Sequence, residues 1–250
     1  MASRTARENI QSSSSNEARR LSTFALLFSI LFAIFVLGPP FLGFNFGPYP
    51  LMKVADVMDL LTPLLVLPFY WLLFRVSAGR SATTEENVAF MVLVGFFALG
   101  QGTHLAANSI GHLTEGLTGT DVFKLTAFYD EKLSHYLWHF GVIGLSLLLM
   151  YRQRKNPFSQ SGTMYPACIA AGTLYGFTFF AMVIEGATWP MGLPLAVLAA
   201  VLGAAWIRRR GSQQPLVLTF FLAYSLALVL FAVWAIWQHG LPEFSKVGFI

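Results

Sequence analysis

An all-α integral membrane protein, a bundle of seven transmembrane helices with its N-terminus cytoplasmic and its C-terminus outside, is the fold class this sequence predicts. Three observations carry the prediction. The chain of 250 residues is 56% hydrophobic and only 11% charged, where soluble proteins carry about 25% charged residues. Its mean hydropathy is +0.62, and its apolar residues fall into seven runs long enough for a hydrocarbon core that needs about 20 residues. Finally, 12 of the 16 basic residues fall on alternate flanks of those runs, the asymmetry that sets orientation in a membrane.

Residues 1–20 are polar, Ser-rich and basic, and read as a cytoplasmic tail, disordered or lying as a short helix on the membrane surface. Leu21 to Leu37 is the first span, retained rather than cleaved, since GPP and not a small-residue cleavage site follows it. Residues 39–50 form a Pro/Gly/aromatic interfacial loop. The remaining spans are Val54–Val76, Asn87–Ile110, Lys132–Tyr151, Tyr165–Glu185, Pro190–Ile207 and Leu216–Gln238. Pro63 and Pro68 predict a kink in the second span, and a tight ATWP turn predicts that the fifth and sixth pair as a hairpin. The domains are thus the tail 1–20, the seven-span unit 21–239 and a short outer tail 240–250, with no internal repeat.

The inner flanks hold Arg4, Arg7, Arg19, Arg20, Arg75, Arg80, Arg152, Arg154, Lys155, Arg208, Arg209 and Arg210, and the outer ones only Lys53, Lys124, Lys132 and Lys246. The basic charge therefore faces lipid headgroups, and nucleic acid is excluded as a partner. Membrane lipid is the expected surrounding, with a homo-oligomer or a larger membrane complex as further partners. The single cysteine, Cys168, excludes an intrachain disulfide and reads as a small buried hydrophobe. Phosphate-cradling loops, a GxSxG elbow, CxxC and CxxCH are absent, and the last span has no lysine for a retinal Schiff base.

The same parity gathers all five histidines at the outer end. His135 and His139, with Glu131 before them, are spaced four apart, so two imidazoles share one helix face and can hold one metal ion. His104, Asn108 and His112 repeat that spacing on the preceding span, where His104 is the third ligand candidate, with His239 or Glu185 as rivals. Asn108 takes a supporting position, since a metal-bound histidine turns its second nitrogen to an oxygen; His112, near the loop, reads as solvated, with a supporting position as its other role. Asp56, Asp59, Asp130 and Glu185 are candidate bases, because a partly desolvated carboxylate suits proton transfer near neutral pH. For Asp130 a helix-capping role competes. For the histidines, interfacial snorkelling or plain cross-helix hydrogen bonding is the bland alternative. Gln101 and Thr103 read as helix-linking polar residues, and Trp138, Trp189, Trp234 and Trp237 as an interfacial belt.

The paired histidines with a serine and an acid partly resemble the membrane hydrolases of the alkaline ceramidase and adiponectin-receptor group. On that resemblance Ser134, His135 and His139 match the paired-histidine helix and Asp130 or Asp59 the acid; zinc held by three histidines and cleavage of a lipid amide are what it implies. In that group HxxxH lies on the last span and a Ser-x-x-x-His on an early one. Here HxxxH lies on the fourth span, and no Ser-x-x-x-His occurs. The residues thus point to a metal-dependent membrane enzyme acting on a lipidic or amphiphilic substrate, with zinc the favoured divalent metal. A redox protein binding copper, iron or haem through the same nitrogens and a non-catalytic transporter or complex subunit are the alternatives.

Overall fold

The computed structural model describes residues 2–78, 80–159 and 162–249; the extreme ends of the two expected tails, Met1 and Ile250, lie outside them. Seven helical spans are long and apolar enough to cross a membrane, running Asn16–Leu37, Val54–Val76, Thr84–Thr114, Asp121–Lys155, Tyr165–Glu185, Trp189–Ile207 and Pro215–Trp237. The protein is a seven-span helical membrane protein. Polar backbone must be satisfied internally in lipid, and only helices or closed barrels achieve that.

The helices are α1 (Ala2–Leu37), α2 (Val54–Val76), α3 (Thr84–Thr114), α4 (Asp121–Ala127), α5 (His135–Lys155), α6 (Tyr165–Glu185), α7 (Trp189–Arg210) and α8 (Pro215–Trp237). The polar segment expected as a separate tail is the first half of α1, which runs unbroken into the span. Ala18, Leu21, Ala25, Phe28 and Phe32 are buried. Their three-and-four spacing is one helix face, and α1 packs it on α6 and α2. The interfacial loop contains a small antiparallel hairpin, β1 (Asn45–Phe46) with β2 (Tyr49–Lys53). Its turn uses Gly47 at φ +56°, a backbone state that glycine adopts without a Cβ clash.

Two other expectations change. The acidic connection before the fourth span is mostly helical: α4 leads into a π-helical segment, Phe128–Ser134, and that into α5. The turn from α6 to α7 is tight, but the two helices do not pair as a hairpin; α7 packs on α8 and α5 and scarcely touches α6. Helix α2 continues through both prolines.

The core is built where backbones come close. A Cβ on Gly100 of α3 would lie 2.3 Å from the Trp138 nitrogen of α5, and one on Gly176 of α6 would lie 2.4 Å from the Ala223 oxygen of α8. Such small-residue crossings hold membrane helices together without a hydrophobic drive. Tyr70 and Tyr175, both fully buried, share a hydrogen bond of 3.2 Å at the bundle centre, beside the Ser146–Tyr224 pair. Cys168 is fully buried, as expected. Trp138 and Trp234 are buried at 8% and 5% exposure, so they belong to the interior, not the belt; Trp189 and Trp237 are exposed.

Chain direction sorts the bundle into two ends. Arg20, Arg75, Arg80 and Arg152 stand at one, and His104, His135, His139 and Glu185 at the other.

Candidate functional site

Helix α3 meets α5 at Gly100, and one turn further along α3 stands His104. That close crossing sets the ring centroids of His104 and His135 4.9 Å apart. His135 and His139, one turn apart on α5, lie with rings nearly parallel at 8° and centroids 5.7 Å apart. On their other side Gly186, just past α6, leaves room for both imidazoles: a Cβ there would be 2.8 Å from His139 Cε1 and 3.2 Å from His135 Cγ.

Each imidazole turns Nδ1 to an oxygen. His135 Nδ1 donates to the Glu131 carbonyl at 3.1 Å. His139 Nδ1 lies 2.6 Å from Thr188 Oγ1. His104 Nδ1 lies 2.8 Å from Asp130 Oδ1, an ion-pair distance reached off the ring's N–H axis. The second nitrogens are left to the interior. His104 Nε2 stands 3.9 Å from Asp59 Oδ2, and His139 Nε2, on a fully buried residue, has no hydrogen-bond partner among the described residues.

The carboxylates are held from α2 and α3. Asp56 accepts from the Lys53 N–H at 2.8 Å, closing the first turn of α2, and from Asn108 Nδ2 at 3.2 Å. Asp59, one turn deeper, accepts from Gln101 Nε2 at 3.2 Å. Gln101 is therefore a helix-linking residue as expected, and Asn108 positions a carboxylate. Asp130 faces His104 and caps no helix; Thr120 caps α4 through the Phe123 N–H. The π segment explains this: its wider turn rotates α4 relative to α5 and carries Asp130 inward, the usual company of π turns being functional sites. Glu131 is exposed, and it is its backbone carbonyl that meets His135.

These groups line one cavity of about 310 Å³, at the small end of ligand pockets. Asp59, His104, Asn108, Asp130, Glu131, His135, His139 and Glu185 all reach it, and its opposite wall is Phe35, Val36, Pro39 and Pro40. Glu185 also accepts from the Ser245 N–H at 3.2 Å, which ties the C-terminal segment to the rim.

Three expectations need correction. His239 lies apart from the cavity, exposed, with φ at 54°, so the chain turns it outward just beyond α8. His112, half-buried at the end of α3, does not line the cavity. Ser134 bonds back to the Asp130 carbonyl and is fully buried, so the serine role implied by the hydrolase resemblance has no free hydroxyl behind it. Moreover, among the described residues no three His, Cys, Asp or Glu side chains are placed to share one metal ion. Sequence reasoning missed Thr188 and Trp138. Thr188 follows α6 by three residues and lies 49 positions from its partner, and no local spacing signals that contact.

No family model matches the chain, and no solved structure matches it. Two curated relatives do. The ceroid-lipofuscinosis neuronal protein 6 homolog of Canis lupus familiaris is 24% identical over 204 residues, taking in 73% of this chain and 64% of the relative. The Homo sapiens ceroid-lipofuscinosis neuronal protein 6 is 25% identical over 207 residues, taking in 72% and 63%. The match thus spans under two thirds of the relatives' own length. The chain is a polytopic helical membrane protein similar in sequence to ceroid-lipofuscinosis neuronal protein 6.

Proposed function

We propose that the chain is a metal-dependent membrane enzyme whose reaction takes place in the histidine-end cavity, on the polar part of an amphiphile. The observation that carries this reading is the use of Nδ1: His135 and His139 hydrogen-bond it to an oxygen, and His104 sets it at ion-pair distance from Asp130. Metal-ligating histidines do the same, fixing the ring and freeing the other nitrogen. His104, His135 and His139 are the residues that would hold a divalent cation, zinc foremost, which would supply an activated water. As they stand the three imidazoles are not placed to share one ion, so the site would have to rearrange to hold it. Asp59, opposite His104 Nε2, is then the base, with Asp130 orienting His104 and Glu185 at the rim. The apolar wall of Phe35, Val36 and Pro39 suits an acyl or prenyl chain. On the basic-residue asymmetry, the N-terminus is cytoplasmic and the cavity faces outside.

Elemental analysis of the purified full chain, with a visible absorbance scan, tests the reading. About one zinc per chain is expected, lost in His135→Ala and in His139→Ala. A Soret band or a copper absorbance moves the assignment to the redox alternative. No stoichiometric metal, and no shift in melting temperature on adding zinc, overturns it.

The second reading is a non-catalytic carrier or complex subunit that holds an amphiphile in the same cavity. The non-convergence of the histidine nitrogens favours it. It expects a co-purifying amphiphile, detected by mass spectrometry, in metal-free protein.

A further inference from the structure

At the opposite end of the bundle lies a cavity twice as large, about 620 Å³. Its wall carries four guanidiniums, from Arg20 on α1, Arg75 on α2, Arg80 in the α2–α3 connection and Arg152 on α5. Facing them are two carboxylates, Glu17 in the wall and Glu86 bound behind it to Arg80 and Arg152. Two positive charges are left over.

The four arginines divide by what already holds them. Arg152, 1% exposed, donates to the Phe74 carbonyl at 3.0 Å, to Ser77 at 3.1 Å, to the Arg80 carbonyl at 2.8 Å and to Glu86. Arg80 donates to Asn156, the Ser81 carbonyl and Glu86 at 2.7–2.9 Å. These two make a rigid floor. Arg20 and Arg75 are different. Their guanidiniums lie over the rings of Phe24 and Trp71, at 5.2 and 5.5 Å from the ring centroids, and neither forms an ion pair with a carboxylate among the described residues. Arg20 stands four residues inside the first span and Arg75 one residue from the end of the second, so both sit at the depth of lipid headgroups.

We infer that this cavity is a binding site for a phosphate-bearing anionic headgroup, with Arg20 and Arg75 supplying the bidentate contacts to phosphate oxygens and the Arg80–Glu86–Arg152 floor holding the wall in shape. Planar guanidiniums match phosphate geometry, and anionic lipid surfaces attract basic residues at this depth. The volume exceeds what bare phosphate fills, which favours a lipid headgroup over the free ion.

The test is a melting-temperature titration of the detergent-purified full chain with dioctanoyl phosphatidic acid, dioctanoyl phosphatidylcholine and inorganic phosphate. Saturable stabilisation by phosphatidic acid, none by phosphatidylcholine, and weakening by ~10-fold or more in the Arg20→Gln/Arg75→Gln double variant are expected, the size following from lost charge-assisted hydrogen bonds. The unliganded double variant loses only the two ring contacts and should melt slightly below the wild type, so each protein's response is read against its own unliganded melt. Equal stabilisation by inorganic phosphate supports the phosphate site and assigns it to the soluble ion. No saturable response to either phosphate compound, an equal response to phosphatidylcholine, or unchanged binding by the double variant overturns the inference.

Discussion

The two ends of the bundle bury charged and polar side chains among the same greasy helices and complete them differently. At the arginine end one carboxylate, Glu86, is fully used. Its oxygens take Arg80, Arg152 and the Thr83 N–H, while its own N–H returns to Thr83 Oγ1, a capping box that starts α3. Among the described residues both ends bury polar atoms without hydrogen-bond partners, Gln153 Nε2, Gln214 Oε1 and Thr219 Oγ1 near the arginine end and His139 Nε2, Trp138 Nε1 and Gln101 Oε1 at the other. Only at the histidine end do such residues, His139 and Trp138, line the cavity. Buried polar atoms are satisfied in the great majority of cases, and each exception calls for an explanation. A closed network fastens three segments of chain. An open one keeps bonding capacity in reserve for something that enters.

The contrast breaks most visibly at the closed end. Arg152 is buried with its carboxylate, so removing either partner strands the other charge, at a cost of about 3–5 kcal/mol. Glu86→Ala and Arg152→Ala should therefore give little folded protein in detergent, or a large drop in melting temperature. Retention of wild-type stability by both would show that the network holds nothing. Next in size is the crossing beneath the site. Gly100→Ala drives a methyl into the α5 backbone at the Trp138 nitrogen. Overpacking of this kind typically costs ~1–3 kcal/mol, and here it also separates His104 from His135. Thermal melts and the metal content of Gly100→Ala and Gly186→Ala measure the two effects. At Gly186 the obstacle is the pair of imidazoles, not backbone, so metal content should fall further than stability.

How much of this was legible in the residues follows the range of the interaction concerned. Hydropathy placed seven spans, and parity put His104, His135 and His139 at one end, because both depend only on runs and direction. Four-residue spacing correctly stacked His135 over His139. It also put Glu131 beside them, on the same cavity, although Glu131 lies in the π segment and meets His135 through its backbone carbonyl. Parity also brought His239 to that end as a rival ligand, but there the residue has a left-handed backbone just beyond α8, is exposed and does not line the cavity. The Arg152–Glu86 pair spans 66 positions, beyond any local pattern.

A smaller effect, of the opposite sign, is expected at the open end. Asp59 is 6% exposed and shares its surroundings with Asp56, Asp130 and His104. Asp59→Asn keeps an oxygen for Gln101 Nε2 and removes one negative charge from an acid-rich pocket. Stability should stay level or rise by up to ~1 kcal/mol, the usual signature of a residue kept for function rather than folding. A fall comparable to that of Glu86→Ala would make Asp59 a structural group and the two ends alike.

The smallest effect belongs to the C-terminal segment that approaches the open end. Its backbone is held by Trp234 Nε1 donating to the Pro242 carbonyl at 2.9 Å and by the Ser245 N–H to Glu185. Phe244 and Phe249 pack on Trp234. Lys246 donates to Glu243 at 2.7 Å, and that bond holds its ammonium protonated above the usual lysine range. With the folded value raised, the contribution is complete below the ordinary lysine pKa and disappears as pH climbs through the folded one. The side chain is two-thirds exposed, at 66%, where water and salt screen such a pair almost entirely. Lys246→Gln should accordingly leave the melting curve unchanged from neutral to alkaline pH, while Trp234→Ala, which removes both the hydrogen bond and the aromatic seat, should release the segment to proteolysis. Equal protease sensitivity of the two variants would mean that charge, and not the tryptophan, fixes this strap against the rim.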